Sequence, residues 1–352
     1  MLFDRLADLP LSVDDVRLAR RERETSSGFS RVTTTVHLDG GDATGRGEDV
    51  TYEADLHADR QAAGPPALAG EYTFAEFSAT VGERDLFPTA PEREDFRHYR
   101  RWAFESAALD LALRQADTDL GAALDREYDP VRFVVSTRLG DPPSLDRIEA
   151  LLAVHDDLEL KLDLTPEWDE DLVAGGADTG QVRILDLKGQ YEGTDVDQPA
   201  DPDLYRRLVE AFPDAVLEDP SLTDETEAVL DGHEGRVSWD LPIRGIDSLD
   251  SLPFEPDWLN IKPSRFGSVE SVLDTIEYCL DRDIRLYGGG QFELGVGRQH
   301  IQALASLFYP DGPNDVAPGG YNDPDLPDGL PASPLAPPEE TAGLEWESPS
   351  LS

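Results

Sequence analysis

VRFVVST (131–137), LELKLD (158–163), QVRILDLK (181–188), DAVLED (214–219), RVSWD (236–240), DWLNIK (257–262) and DIRLYGG (283–289) are seven short apolar runs, each closed by a polar residue or glycine. Amphipathic stretches at 144–155, 201–212, 222–231, 267–281 and 294–308 lie between them and predict helices. The segment 165–180 fits that pattern less well, because GGADTG (175–180) interrupts it. Strands alternating with helices imply an all-parallel sheet of the α/β class. With seven such units the usual closure is a (β/α)8 TIM barrel. An eighth strand must then be short, over Asp315 to Ala317.

Upstream of residue 130 the pattern changes. SRVTTTVHL (30–38) alternates and, after GlyGly at 40–41, Asp49 to Leu56 follows, which predicts antiparallel strands. A long helix is expected over 93–116, with Phe96, Tyr99, Trp102, Ala103, Ala107, Leu109 and Leu113 on its apolar side. Beyond Pro310 the chain is rich in Pro, Gly and Asp without periodicity. The expected organisation is an α+β capping domain over 1–128, a barrel carrying the active site over 129–320, and an irregular tail over 321–352 whose last part is a candidate for disorder.

The 352 residues include 74 Asp or Glu against 30 Lys or Arg, a formal charge of −44. Nucleic acid as a partner is excluded, because a phosphate backbone requires a positive surface. The apolar runs are too short to span a membrane and the first twenty residues are heavily charged, so a cytoplasmic protein is expected. One cysteine, Cys279, leaves no internal disulfide and no Cys-rich metal site. An acidic surface hides its interfaces, so a homo-oligomer is compatible with the sequence.

Of the 30 basic residues only three are lysine: Lys161, Lys188 and Lys262. A carboxylate-dense chain emptied of lysine resembles the proteins of salt-accumulating halophilic archaea, whose repulsion is screened by concentrated salt. Fitting a basic partner is the blander explanation of such acidity. Where lysine is this scarce, those retained mark places arginine cannot serve, and lysine, unlike arginine, can lose its proton at moderate pH.

Active sites of these barrels gather at the C-terminal ends of the strands. Strands 3, 4 and 5 end in Asp186, Glu218 and Asp240, three hard oxygen donors of the kind Mg²⁺ takes. In so acidic a chain three such positions arise readily by chance; lysine at three strand ends does not. Lys161 closes strand 2, Lys262 closes strand 6, and Lys188 lies two past Asp186, on the same face if strand 3 continues that far. Salt-bridged wall residues are the plain structural alternative for all three.

These residues taken together resemble the enolase superfamily, and within it the muconate-lactonizing and o-succinylbenzoate synthase branch. The stretch ESAALDLALRQ (105–115) looks like the end of that family's capping domain. Lys161, Asp186, Glu218 in VLEDP, Asp240 in SWD and Lys262 in NIKPSRFGS follow its order of base, three metal ligands and second base, at spacings of 25, 32, 22 and 22. GGGQFELGVGRQHIQALASL (288–307) is similar to the family's segment after strand 7 and places Glu293 near the site, with Gly289 beside it. Phe29, after SerSerGly at 26–28, matches the capping-domain loop that covers the site.

The resemblance implies a metal-dependent lyase or isomerase. Mg²⁺, for which Mn²⁺ can substitute, holds a substrate carboxylate while Lys161 and Lys262 act on its α-proton, and Lys188, Glu293, Gly289 and Phe29 face the substrate. The sequence departs from the branch in four places: Glu159 and Asp163 replace Lys-x-Lys around Lys161, Lys188 stands where Asn is common, Leu241 follows Asp240 where Glu is usual, and strand 7 ends without histidine. The last argues against the mandelate-racemase and sugar-acid dehydratase chemistry. A barrel that binds an anionic or phosphorylated ligand without enolate chemistry is the alternative, motivated by GlyGlyGly (288–290) and by an ammonium beside the carboxylates.

Overall fold

In the computed structural model the described residues run from 1 to 346, apart from 192, 195 and 345. The N-terminal part holds β1 (Pro10–Val13), β2 (Asp15–Glu24), β3 (Ser30–Gly40), β4 (Ala43–Asp49) and β5 (Gly70–Thr73). β2, β3 and β4 form an antiparallel sheet, and β1 pairs with β5. The barrel strands follow: β6 (Val134–Arg138), β7 (Glu159–Asp163), β8 (Val182–Asp186), β9 (Val216–Glu218), β10 (Val237–Trp239), β11 (Trp258–Ile261) and β12 (Arg285–Gly288). They pair in sequential order, every neighbour parallel. The ring closes through two parallel bridges, Phe133 with Asn314 and Gly289 with Asp315, so the eighth strand is a two-residue contact starting one residue before its expected place. The chain is a (β/α)8-type barrel with an N-terminal α+β capping domain.

Interior-facing residues of the parallel strands are apolar at the base, where Val134, Ile184 and Val216 pack with Tyr287, and charged at the C-terminal ends. That division keeps the core dry below and concentrates polar groups in one layer above.

The helix Asp95–Gln115 joins the two parts and lies on β4. The sequence predicts one apolar side; the structure encloses the helix almost all round, burying Arg100, Glu105 and Asp110 as well. Each of these charges is partnered: Arg100 Nε donates to Asp49 Oδ2 at 2.7 Å, Arg101 Nε to Glu105 Oε1 at 2.8 Å, and Arg114 Nε to Asp110 Oδ1 at 2.8 Å. Gly45 and Gly47 of β4 make this packing possible, since a Cβ on either would fall about 2 Å from the carbonyl oxygens of Ala107 and Ala103.

Two expectations for the capping domain are corrected. The second strand is Ala43–Asp49 rather than Asp49 to Leu56, and Ala54–Ala63 is a helix. The earlier residues win because they pair in register with β3 from Thr34 to Gly40. The segment 165–180 contains a helix, Glu170–Asp178, started by the Asp169 carboxylate, which accepts from Leu172 N at 2.9 Å.

Among the described residues beyond 310, the only helical turn is a 3₁₀ segment at Gly319–Asn322. The tail nevertheless packs back on the body: Leu335 bridges Val131, and the buried Trp346 ring meets Tyr128 edge-on at 5.9 Å. The disorder expected at its end falls on residues outside the described ones.

All three lysines are shielded from solvent, with side-chain exposures of 2%, 13% and 8% for Lys161, Lys188 and Lys262. The surface is therefore free of lysine and carries a large excess of carboxylates. Mutual repulsion at this density opposes compaction and weakens as added salt shortens the screening length from about 10 Å at 0.1 M to about 3 Å at 1 M. Raising KCl from 0.1 M to 2 M is expected to lift the thermal midpoint by roughly 10 °C or more. A midpoint that stays flat in a calorimetric salt series would remove the salt-adapted reading.

Candidate active site

The parallel ladders fix the site. Lys161 pairs across with Ser136 and Ile184 in mid-β7, Asp186 and Glu218 are the last residues of β8 and β9 and lie in register with each other, and Asp240 and Lys262 directly follow β10 and β11. The five are at most 6% exposed. Lys161 Nζ donates to Glu218 Oε1 and stands 3.3 Å from Asp186 Oδ2. Lys262 Nζ donates to Asp240 Oδ2 at 2.9 Å. Lys188 has a left-handed backbone (φ 54°), which curls its side chain back so that Nζ bonds Asp186 Oδ2 and lies 3.4 Å from Asp163 Oδ1. The structure thus brings together all three lysines and all three carboxylates named from the sequence.

Five further side chains complete the cluster. Arg265 Nη1 is 3.1 Å from Asp240 Oδ1, and its Nη2 donates to the Tyr191 hydroxyl at 3.0 Å. Tyr191 in turn donates to Asp240 Oδ2 at 3.2 Å. Glu218 Oε2 accepts from the Tyr287 hydroxyl and from Asn260 Nδ2 at 3.0 Å. Asp219 accepts from the amides of Asp240 and Leu241 at 2.8 and 2.9 Å, fixing the turn that presents Asp240. Arg265 and Asp219 lie inside quoted motifs, NIKPSRFGS and VLEDP; Tyr191 sits on the loop after β8, where periodicity gives no signal.

Burial disfavours every charge here, and the partners decide the outcome. It opposes the Lys161 ammonium, but Glu218 and Asp186 outweigh it and hold that pKa well above the ordinary lysine value; Asp163 and Asp186 do the same for Lys188. Asp186 is held low by Lys188 and Lys161 against its burial. Glu218 is pushed up by burial and by Asp186 and Asp240 beside it, even though Lys161 pulls the other way.

Of the remaining substrate-side residues, Gly289 lies against Lys262: a Cβ there would fall 2.7 Å from Lys262 Cε. Glu293 is buried, but its carboxylate turns to its own loop, accepting from Gln291 N at 2.7 Å and facing Arg298 Nη2 at 3.4 Å. Phe29 packs edge-on against Phe292 with centroids 5.2 Å apart, beside Glu293. Beside the cluster, with Tyr191 on its wall, an open depression of about 870 Å³ is lined by Arg93, Gln190, Leu241 and Arg244, among others.

Among the described residues no three His, Cys, Asp or Glu side chains stand in a metal-holding arrangement, and ammonium groups sit on oxygens of Asp186, Glu218 and Asp240. The donor type nevertheless suits a divalent cation. Five carboxylates (Asp163, Asp186, Glu218, Asp240 and Asp315) lie within 4.0 Å of four cations (Lys161, Lys188, Lys262 and Arg265). Hard carboxylate oxygens from adjacent strand ends are donors Mg²⁺ accepts.

Barrel and capping domain are similar in fold to solved structures described as members of the enolase superfamily, at 19% identity. The chain belongs to the family described as domain of unknown function DUF8230, whose N-terminal and C-terminal domains match residues 4–123 and 127–323. It is similar to an N-succinylamino acid racemase of an Amycolatopsis species, 27% identical over 78% of this chain and 74% of that protein. It is also similar to an o-succinylbenzoate synthase of Bacillus subtilis, 26% identical over 60% of this chain and 57% of that one. Among solved structures, a dipeptide epimerase of Enterococcus faecalis superposes with a TM-score of 0.71 at 17% identity, covering 96% of this chain and 100% of that chain. A dipeptide epimerase of Methylococcus capsulatus, complexed with Mg ion, gives 0.65 at 19% identity over 85% and 88%. No helix among the described residues is long and apolar enough to cross a membrane.

Proposed function

We propose that the chain removes the α-proton of a small-molecule carboxylate, with Lys161 and Lys262 as bases and Asp186, Glu218 and Asp240 as ligands of Mg²⁺. The observation that carries this reading is the meeting of the chain's three lysines, all shielded from solvent, with three buried carboxylates in one layer at the strand ends. Structural ion pairs would spread along the barrel; these converge where its chemistry is done.

Lys161 reaches in from β7 and Lys262 from the end of β11, with β8, β9 and β10 between them. Substrate held over the carboxylates is then flanked on two faces. A neutral amine on one face with an ammonium on the other to return a proton permits racemisation or epimerisation; a neutral amine whose cationic partner only stabilises charge permits elimination of the o-succinylbenzoate type. A lysine acts as a base only when neutral, so the carboxylates that hold it charged must first be turned to another cation. Bound magnesium supplies a Lewis acid for the charge that develops on the substrate carboxylate. Lys188 offers an ammonium to a second anionic group, the backbone of Gly289 leaves Lys262 its room, and Phe29 and Glu293 border the entrance. A salt-adapted cytoplasmic protein that handles no nucleic acid fits the charge.

Incubation with N-acylamino acids and dipeptides in D₂O, concentrated KCl and Mg²⁺ tests this: NMR is expected to show loss of the α-proton signal from at least one class. One observation favours a second reading, the Lys188 ammonium already seated on Asp186. If no carboxylate exchanges and calorimetry shows anions bound without metal, the barrel is a binding protein.

A further inference from the structure

The segment from Gly289 to Gly297 leads from β12 into the helix Val296–Phe308. It includes Phe292 in the left-handed region (φ 56°), and the helix that follows has no side-chain cap at its own N-cap residue, Gly295. Local bonding fixes only part of this loop, through Gln291 N to Glu293 Oε1 at 2.7 Å; its other amides and carbonyls require outside partners. Both kinds come from the capping sheet. Glu48, in β4, accepts from Leu294 N at 2.7 Å, Gly295 N at 3.0 Å and Gly297 N at 2.8 Å. Arg31, in β3, donates to Gln291 O at 3.0 Å and Phe292 O at 3.4 Å, and with the rest of its fork to Thr51 O at 2.8 Å and Val50 O. Both side chains are 1% exposed.

A carboxylate thus holds the amide end of the loop and a guanidinium the carbonyl end, while the guanidinium also ties in the strand exit after β4. Its planar fork explains why arginine is needed: it serves four carbonyls on two segments, more than the three donors of an ammonium can. Tyr52 reinforces the arrangement, its ring under Arg31 at 4.3 Å and its hydroxyl donating to Gln291 Oε1 at 2.8 Å. At the other end of the same loop, Gly289 lies so close to Lys262 and Asn260 that even a methyl group would touch both. A shift of the loop is therefore a shift of the wall against which Lys262 rests.

We propose that Arg31 and Glu48 are positioning residues: a two-ended clamp by which the capping sheet sets the loop after β12 and, through Gly289, the place of Lys262. The role of Lys262 as a base rests on the function proposed above; the clamp itself does not. The experiment uses the full chain in concentrated KCl with Glu48→Gln, which keeps the shape, and Arg31→Lys, which keeps the charge. Amide hydrogen exchange at residues 294–297 is expected to rise tenfold or more in Glu48→Gln, with the β6 amides unchanged. Because lysine occurs at three positions only, the rate at which an amine-reactive reagent modifies Lys262 relative to Lys161 reads the second step, and a change of threefold or more in that ratio is expected in both variants. Unchanged loop protection, a uniform loss of protection across the barrel, or an unchanged labelling ratio would each overturn the clamp. Should Arg31→Lys fail to fold, Glu48→Gln alone decides it. If the native protein exchanges no α-proton, the catalytic reading fails while these two measurements still judge the clamp.

Discussion

Lys262→Ala is expected to lower exchange of the α-proton with deuterated solvent by about 10²–10⁴-fold for the substrate enantiomer facing β11, the range a positioned general base contributes. The variant should remain folded. Removing the ammonium that bonds Asp240 at 2.9 Å leaves that carboxylate with Arg265 at 3.1 Å and Tyr191 at 3.2 Å, so no buried charge is stranded. Lys161→Ala gives the complementary result. If both lysines are bases, each variant loses exchange in one enantiomer and keeps some in the other. If one lysine is the base and the other a charged partner, one variant loses all exchange and the other retains exchange while losing turnover. NMR on both enantiomers in D₂O separates these outcomes, and full exchange of both in Lys262→Ala would remove that residue from its assigned role.

The barrel was legible because its signal is chemical as well as periodic: seven short, largely apolar runs recur between amphipathic stretches, each closed by a polar residue or glycine. The lysines stood out through scarcity, a signal that needs no secondary structure at all. β2 was missed for the opposite reason. DVRLARRERE (15–24) is charged along most of its length because it is the edge of an open sheet, mostly solvent-exposed, and it pairs with β3 through backbone bonds from Asp15 to Glu24 that composition does not record. The same limit hid Tyr191, whose contacts depend on how a loop folds over the strand ends. Glu293 illustrates it at a named residue: a motif places it at the site, whereas only the loop path shows its carboxylate turned to Gln291 and Arg298.

Lys188→Asn is expected to tighten divalent-cation binding by about 10–100-fold, read as the Mn²⁺ signal in paramagnetic resonance in concentrated KCl. Asp186 is bonded by Lys188 and lies 3.3 Å from Lys161, so an incoming cation must displace an ammonium from a buried carboxylate. Two unit charges 4 Å apart interact by about 4 kcal/mol at an effective dielectric near 20, and a tenfold change in affinity needs only about 1.4 kcal/mol. Asparagine removes that charge while keeping a polar group at the position, and Asp163, 3.4 Å from Lys188, loses its competing partner as well. Asp186→Asn is the opposing control, because it takes away a proposed ligand carboxylate and should abolish the site. A native protein that binds Mn²⁺ at one site, lost in Asp186→Asn, supports the proposed ligand set with Lys188 as a cation able to move toward a substrate anion. A native protein with no site, and one gained in Lys188→Asn, means that the ammonium has taken over the metal's charge, and the anion-binding reading then leads.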